Sequence, residues 1–150
     1  MKVVLQRVKN ASVEIEGIIT SGIKMGILIF VGIEEADGKE DIDWLCSKIA
    51  NLRIFDDDNG VMNMSVKEVD GDILAISQFT LHARVKKGNR PSYVDSAKPE
   101  ISIPLYNAFV KQLENELGKK VNTGKFGAEM QISLINDGPV TINIDSKNRR

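Results

Sequence analysis

Two periods of apolar residues alternate along the chain, and each switch between them marks an element. Residues 2–8 begin with an apolar run and read as a strand carrying Gln6 and Arg7. Residues 12–16 alternate, with Val13 and Ile15 on one face and Glu14 and Glu16 on the other, and Asn10-Ala11 lies at hairpin distance between the two runs. Residues 26–33 are apolar throughout and predict a strand covered on both faces. The period then becomes helical. Ile42, Leu45, Ile49 and Leu52 share one side of a helix over residues 39–52, entered from an acidic loop. Residues 53–55 and 61–63 flank an Asp-Asn-Gly turn as a short hairpin, and Asp70-Gly71 marks another turn.

Residues 72–81 are expected to form the next strand, apolar at Ile73–Ile76 and polar from Ser77 onwards. A second helix is expected from about Ser102, with Pro104 in its first turn. Leu105, Phe109, Leu113 and Leu117 form its buried stripe and Gly118 its stop. Residues 128–135 and 140–144 are the last two strands, joined by the turn Asn136-Asp137-Gly138-Pro139. The inventory is about eight strands and two main helices joined by short connections. It predicts a single α+β domain over residues 1–150, with a mostly antiparallel sheet curled into a barrel-like core.

Composition narrows the function more than the fold. A chain of 150 residues buries about 68–70% of its unfolded surface, enough for one real core. The net charge of −1 supplies no general field for a polyanion, so such a partner needs a local patch. Arg84, Lys86, Lys87 and Arg90 make one, four cations within seven positions, interrupted by Gly88 and followed by Pro91. The single cysteine, Cys46, fits a reducing compartment and reads as a core residue, and charge interrupts the N-terminal apolar run too early for a signal sequence. No apolar run approaches the roughly 20 residues that span a bilayer, so a cytoplasmic protein without membrane partners is expected. One histidine and one cysteine cannot build a tetrahedral zinc site. Asp56-Asp57-Asp58-Asn59-Gly60 fails the calcium-loop register, because Phe55 and Val66 would stand where carboxylates are required. Thr123-Gly124-Lys125-Phe126-Gly127 lacks the spacing of a phosphate loop. No metal site and no cofactor are expected.

The candidate chemistry is sparse. Ser77 and Thr80 are hydroxyl nucleophiles in need of a base. His82 would share a strand face with Thr80, but no carboxylate nearby in sequence would orient it, and the simpler reading makes it a surface residue. The alternative needs no activated side chain. Backbone N–H groups at the end of the strand would hold an oxyanion, and the substrate would bring its own hydroxyl.

Ser77-Gln78-Phe79-Thr80 together with Asn136-Asp137-Gly138-Pro139-Val140-Thr141 resembles the signature pair of the D-aminoacyl-tRNA deacylases. Residues 4–8, 88–93 and 123–130 resemble further segments of that family, in the same order. The resemblance implies a homodimer that hydrolyses the ester between a D-amino acid, or glycine, and the terminal adenosine of tRNA. It implies that Gly138-Pro139 is a cis peptide inserted into the partner's active site, where its carbonyls exclude an L side chain. Arg7 would orient that motif, Phe79 would offer its N–H to the substrate carbonyl, and Gln78, Phe126 and Met130 would surround the adenosine. Catalysis would be assisted by the ribose 2′-hydroxyl, leaving Thr80 a site residue of open chemical role. Two readings stand beside this one: a module that binds tRNA or a nucleotide without turnover, and an esterase with Thr80 as nucleophile.

Overall fold

The computed structural model describes residues 1–150. Its centre is β1 (Lys2–Ile15), a single strand of 14 residues where two strands and a hairpin were expected. The physical reason is a change of neighbour. Residues 2–8 pair antiparallel with β3 (Gly26–Gly32), and residues 11–15 pair antiparallel with β2 (Ile18–Ile23). The polar, exposed Lys9-Asn10 mark the handover between them and not a reversal of the chain. The true hairpin turn is Glu16-Gly17, both with positive φ.

The other edge of β1 pairs along its length with β8 (Gln131–Asp145), again one strand where two were expected. The Asn-Asp-Gly-Pro segment interrupts this ladder without ending it. Gln6 lies opposite Thr141 and Val8 opposite Asn136, so Arg7 alone faces residues 137–140, which bulge out of the sheet. Asn136 closes the bulge by accepting the Val140 N–H at 2.8 Å and donating to Thr141 Oγ1 at 2.9 Å.

Beyond β3 the sheet continues in parallel through β6 (Asp72–Ser77) to the short β7 (Asn122–Thr123). The sheet is therefore mixed, antiparallel around β1 and parallel on this side. It curls until Asn122 Nδ2 donates to the Gly22 carbonyl of β2 at 3.3 Å, nearly closing the barrel. The hairpin β4 (Phe55–Asp56) and β5 (Met62–Met64) stands apart, its turn secured by Asp57, which accepts the N–H groups of Asn59 and Val61.

Two helices cover the outer face. α1 (Lys39–Asn51) starts where Asp41 accepts the Gly38 N–H at 2.9 Å. α2 (Pro99–Leu117) begins a turn earlier than expected, because Pro99 is already suited to the first position. Pro104 therefore lies inside the helix, where its ring nitrogen cannot donate to the Glu100 carbonyl. Gly118 ends α2 in the left-handed conformation. Leu5, Ile27, Ile29, Leu45, Ile49, Phe109 and Leu113 form the main core between sheet and helices. A smaller core of Val8, Val13, Ile23, Leu28, Leu74 and Ile76 fills the curl of the sheet. β3 contributes to both, so it is covered on both faces as expected. No helix is long and apolar enough to cross a membrane. The basic tail is tied down: Lys147 bonds Asp41 at 2.7 Å, and the Arg149 guanidinium sits 4.6 Å over the Trp44 ring.

Candidate active site

β3 and β6 run parallel and end level, with Val31 opposite Ser77. The Gln78 N–H extends the ladder by one bond to the Val31 carbonyl at 2.7 Å, and the chain then folds into a 3-10 turn over Phe79–His82. The strand thus stops at Ser77, four residues short of the expected end. Gly32 permits the turn: a Cβ there would come within 2.9 Å of Leu81 Cβ and 3.0 Å of the Gln78 carbonyl oxygen. The N–H groups of Phe79 and Thr80 open the turn and have no carbonyl partner within it. Ser96 Oγ donates to the Phe79 carbonyl at 2.9 Å, and Gln78 Nε2 donates to Thr80 Oγ1 at 2.6 Å.

This turn forms one wall of a cavity of about 280 Å³. The cavity brings together Ser77, Gln78 and Phe79 from the first motif with Phe126 and Met130 from the glycine-rich segment. Tyr106 braces it from behind, donating to the Ala75 carbonyl at 2.8 Å and packing its ring 5.8 Å from that of Phe126. Burial pushes the Tyr106 phenol up to about 12, so it serves as a neutral donor. Gly124 leaves space for Met130, whose sulfur lies 2.5 Å from where a Cβ would stand. Ala97 and Ser102 also line the cavity. Sequence reading missed both, and the only available signal was the small-residue run leading into α2.

No carboxylate, histidine, cysteine, lysine or arginine lines the cavity. Cys46 is buried elsewhere, its Sγ 3.4 Å from the Phe109 carbonyl, and burial pushes its thiol far above the ordinary range. His82, expected at the surface, is buried beneath the turn, and its Nε2 has no hydrogen-bond partner. Thr80 and His82 do not share a strand face, because the 3-10 turn replaces the strand at that point.

Gly138, Pro139 and Arg7 form a separate constellation. The Gly138-Pro139 peptide is cis, and both residues are exposed on the bulge of β8. Arg7 is buried beneath it. Its Nε donates to the Asp137 carbonyl at 3.0 Å and its Nη1 to the Ile54 carbonyl at 2.6 Å, with the Asp56 and Asp137 carboxylates 3.5 and 3.6 Å away. Gly138 has φ +131°, and a Cβ there would meet Val140 Cγ2 at 2.8 Å and Arg7 Nη2 at 3.1 Å. None of these residues lines the cavity of its own chain.

The basic segment divides in two. Arg84 makes a bidentate pair with Asp95, which holds the Asp95 carboxyl below its usual range, and it bridges Ser92 through the backbone. Lys86, Lys87 and Arg90 are exposed in the loop between these anchors.

A sequence profile described as D-Tyr-tRNA(Tyr) deacylase matches residues 4–145. Curated relatives named D-aminoacyl-tRNA deacylase from Bacteroides fragilis (strain YCH46) and Flavobacterium psychrophilum are each 66% identical over 149 residues, covering 99% of both chains. A solved structure titled "c-Myc DNA Unwinding Element Binding Protein" superposes with a TM-score of 0.91 at 40% identity, covering 97% of this chain and 98% of that one. A probable eukaryotic D-amino acid tRNA deacylase shares the fold at a TM-score of 0.81 and 15% identity, over 95% and 97% of the respective chains. With nearly its whole length matched by both the profile and its relatives, the chain belongs to the D-Tyr-tRNA(Tyr) deacylase family.

Proposed function

We propose that the protein is a D-aminoacyl-tRNA deacylase that hydrolyses the ester joining a D-amino acid, or glycine, to the terminal adenosine of tRNA. The observation that carries this reading is a cavity with backbone donors, hydroxyls and an amide but no side chain able to act as a base. Such a site suits a substrate that supplies its own hydroxyl. Water adds to the ester carbonyl carbon while the adjacent ribose 2′-hydroxyl relays its proton. The tetrahedral oxyanion is held by the N–H groups of Phe79 and Thr80, the first two residues of the 3-10 turn. The ester C–O bond then breaks, and the proton passes to the ribose 3′-oxygen. Gln78, Phe126 and Met130 enclose the adenosine.

Gly138-Pro139 acts in trans on this reading. The pair is exposed, braced by Arg7, and absent from its own cavity, so a homodimer would place it against the Phe79 turn of the partner subunit. Its carbonyls then fill the space that an L side chain needs, while a D side chain or glycine avoids them. That is selection by obstruction, which a rigid wall performs better than an adaptable one. Both the tRNA substrate and a cytoplasmic location follow from this reading.

The test is turnover. With labelled D-tyrosyl-tRNA in excess, the enzyme is expected to release many equivalents of free D-tyrosine per subunit. Tight tRNA binding without release would establish the non-catalytic module instead.

A further inference from the structure

The cavity mouth carries an exposed feature that the chemistry above does not use. The Phe79 ring is 56% exposed, and Tyr93 meets it edge to face, with ring centroids 5.0 Å apart and planes at 78°. Tyr93 begins the segment that leads to the cavity wall. Ser96 bonds the Phe79 carbonyl, and the Ala97 N–H donates to the Ile33 carbonyl at 2.9 Å. On the other side of Tyr93, Ser92 and Arg84 exchange two backbone bonds of 2.8 and 3.0 Å, and Asp95 clamps Arg84. This rigid stem presents the loop that holds Lys86, Lys87 and Arg90.

No acidic residue occurs between Asp72 and Asp95, and Asp95 is committed to Arg84. Three exposed cations without ion-pair partners thus lie in the loop closed by the Arg84–Ser92 bridge, and Tyr93, the next residue after that bridge, meets the cavity-lining Phe79. A basic path alongside exposed rings is the arrangement that holds single-stranded nucleic acid, with phosphates on the cations and bases stacked on the rings.

We infer that Tyr93, Lys86, Lys87 and Arg90 form a subsite for the unpaired RNA immediately 5′ of the terminal adenosine. This rests on the deacylase reading and deepens it. The terminal nucleoside enters the cavity, the preceding base stacks on Tyr93, and the phosphates behind it run along the loop. Arg84 is a scaffold for this subsite and not one of its phosphate ligands.

The experiment compares two esters of one D-amino acid, the full D-aminoacyl-tRNA and the D-aminoacyl ester of adenosine alone. Tyr93→Ala is expected to lower kcat/KM on the tRNA about tenfold more than on the adenosine ester, as lost base stacking predicts. Tyr93→Phe, which keeps the ring, should restore it. Replacing Lys86, Lys87 and Arg90 together by serine should flatten the salt dependence of tRNA affinity by about 2 in the slope of log K against log salt, three phosphates at the single-strand value. Equal losses on both esters, an unchanged Tyr93→Ala enzyme, or an unchanged salt slope would overturn the subsite while leaving the deacylase reading intact. A wild-type protein inactive on both esters would instead overturn that reading, and the subsite with it.

Discussion

At the scale of single residues, the bonds made by Gln78, Thr80 and Arg7 decide between mechanisms. Thr80 Oγ1 accepts a hydrogen bond from Gln78 Nε2, and no base lines the cavity to remove its proton. Thr80→Ala is therefore expected to keep kcat within about tenfold of wild type, whereas a covalent nucleophile would lose nearly all activity. Single-turnover deacylation of D-aminoacyl-tRNA measures the difference. Arg7 spans two carbonyls on different segments, a task that suits a planar guanidinium and that one ammonium cannot reproduce. Arg7→Met should cost about 3 kcal/mol in urea unfolding, because it leaves the Ile54 and Asp137 carbonyls without their charged donor. An unchanged midpoint would show that Arg7 does not brace the bulge. The sequence made the importance of residues 77–80 and 136–141 visible through the family resemblance. It did not reveal the burial of His82, because burial there depends on Gly32, fifty residues away in the chain, admitting the turn against β3.

At the scale of elements, hydrophobic period located the strands and helices well and their ends less well. Residues 26–33 and both helical stripes were legible because burial on a fixed face leaves a periodic record. The unbroken lengths of β1 and β8 were not legible. Polar pairs such as Lys9-Asn10 look alike whether the chain turns or one strand exchanges its neighbour, and only the pairing separates the two. The 3-10 turn after β6 was hidden for a related reason: it satisfies its bonds locally and has no hydrophobic period of its own.

The start of α1 also supplies a pH prediction. Burial alone would raise the Asp41 carboxyl, but hydrogen bonds from Lys147, Ser146 and the Gly38 N–H outweigh it and hold the group at about 2. Its folded value lies below the ordinary one. Its contribution to stability is therefore complete above the ordinary carboxylate range and is lost as pH falls from about 4 towards 2. The stability difference between wild type and Asp41→Asn, read by thermal unfolding, should be constant near neutrality and shrink across that interval. A difference independent of pH would contradict this account of the network joining α1 to the C-terminal segment.

At the scale of the whole molecule, the division of the site is the central feature. The cavity and the Gly138-Pro139 bulge occupy different parts of one chain, and under the proposed function they meet only across a homodimer. Sedimentation at assay concentration should show a dimer, and dilution to monomers should abolish discrimination before it abolishes tRNA binding. The sequence alone could reach this arrangement only through the family, because neither periodicity nor composition records which surface of one copy meets another.

The claim that the protein rejects L side chains by obstruction has a direct test in the rates on D-tyrosyl-, glycyl- and L-tyrosyl-tRNA, measured on the same tRNA with the same enzyme. The D and glycyl esters should be hydrolysed, and the L ester should decay no faster than it does without enzyme. A D-to-L ratio of about 10³ or more would correspond to roughly 4 kcal/mol of exclusion. Comparable rates on the D and L esters would contradict the account.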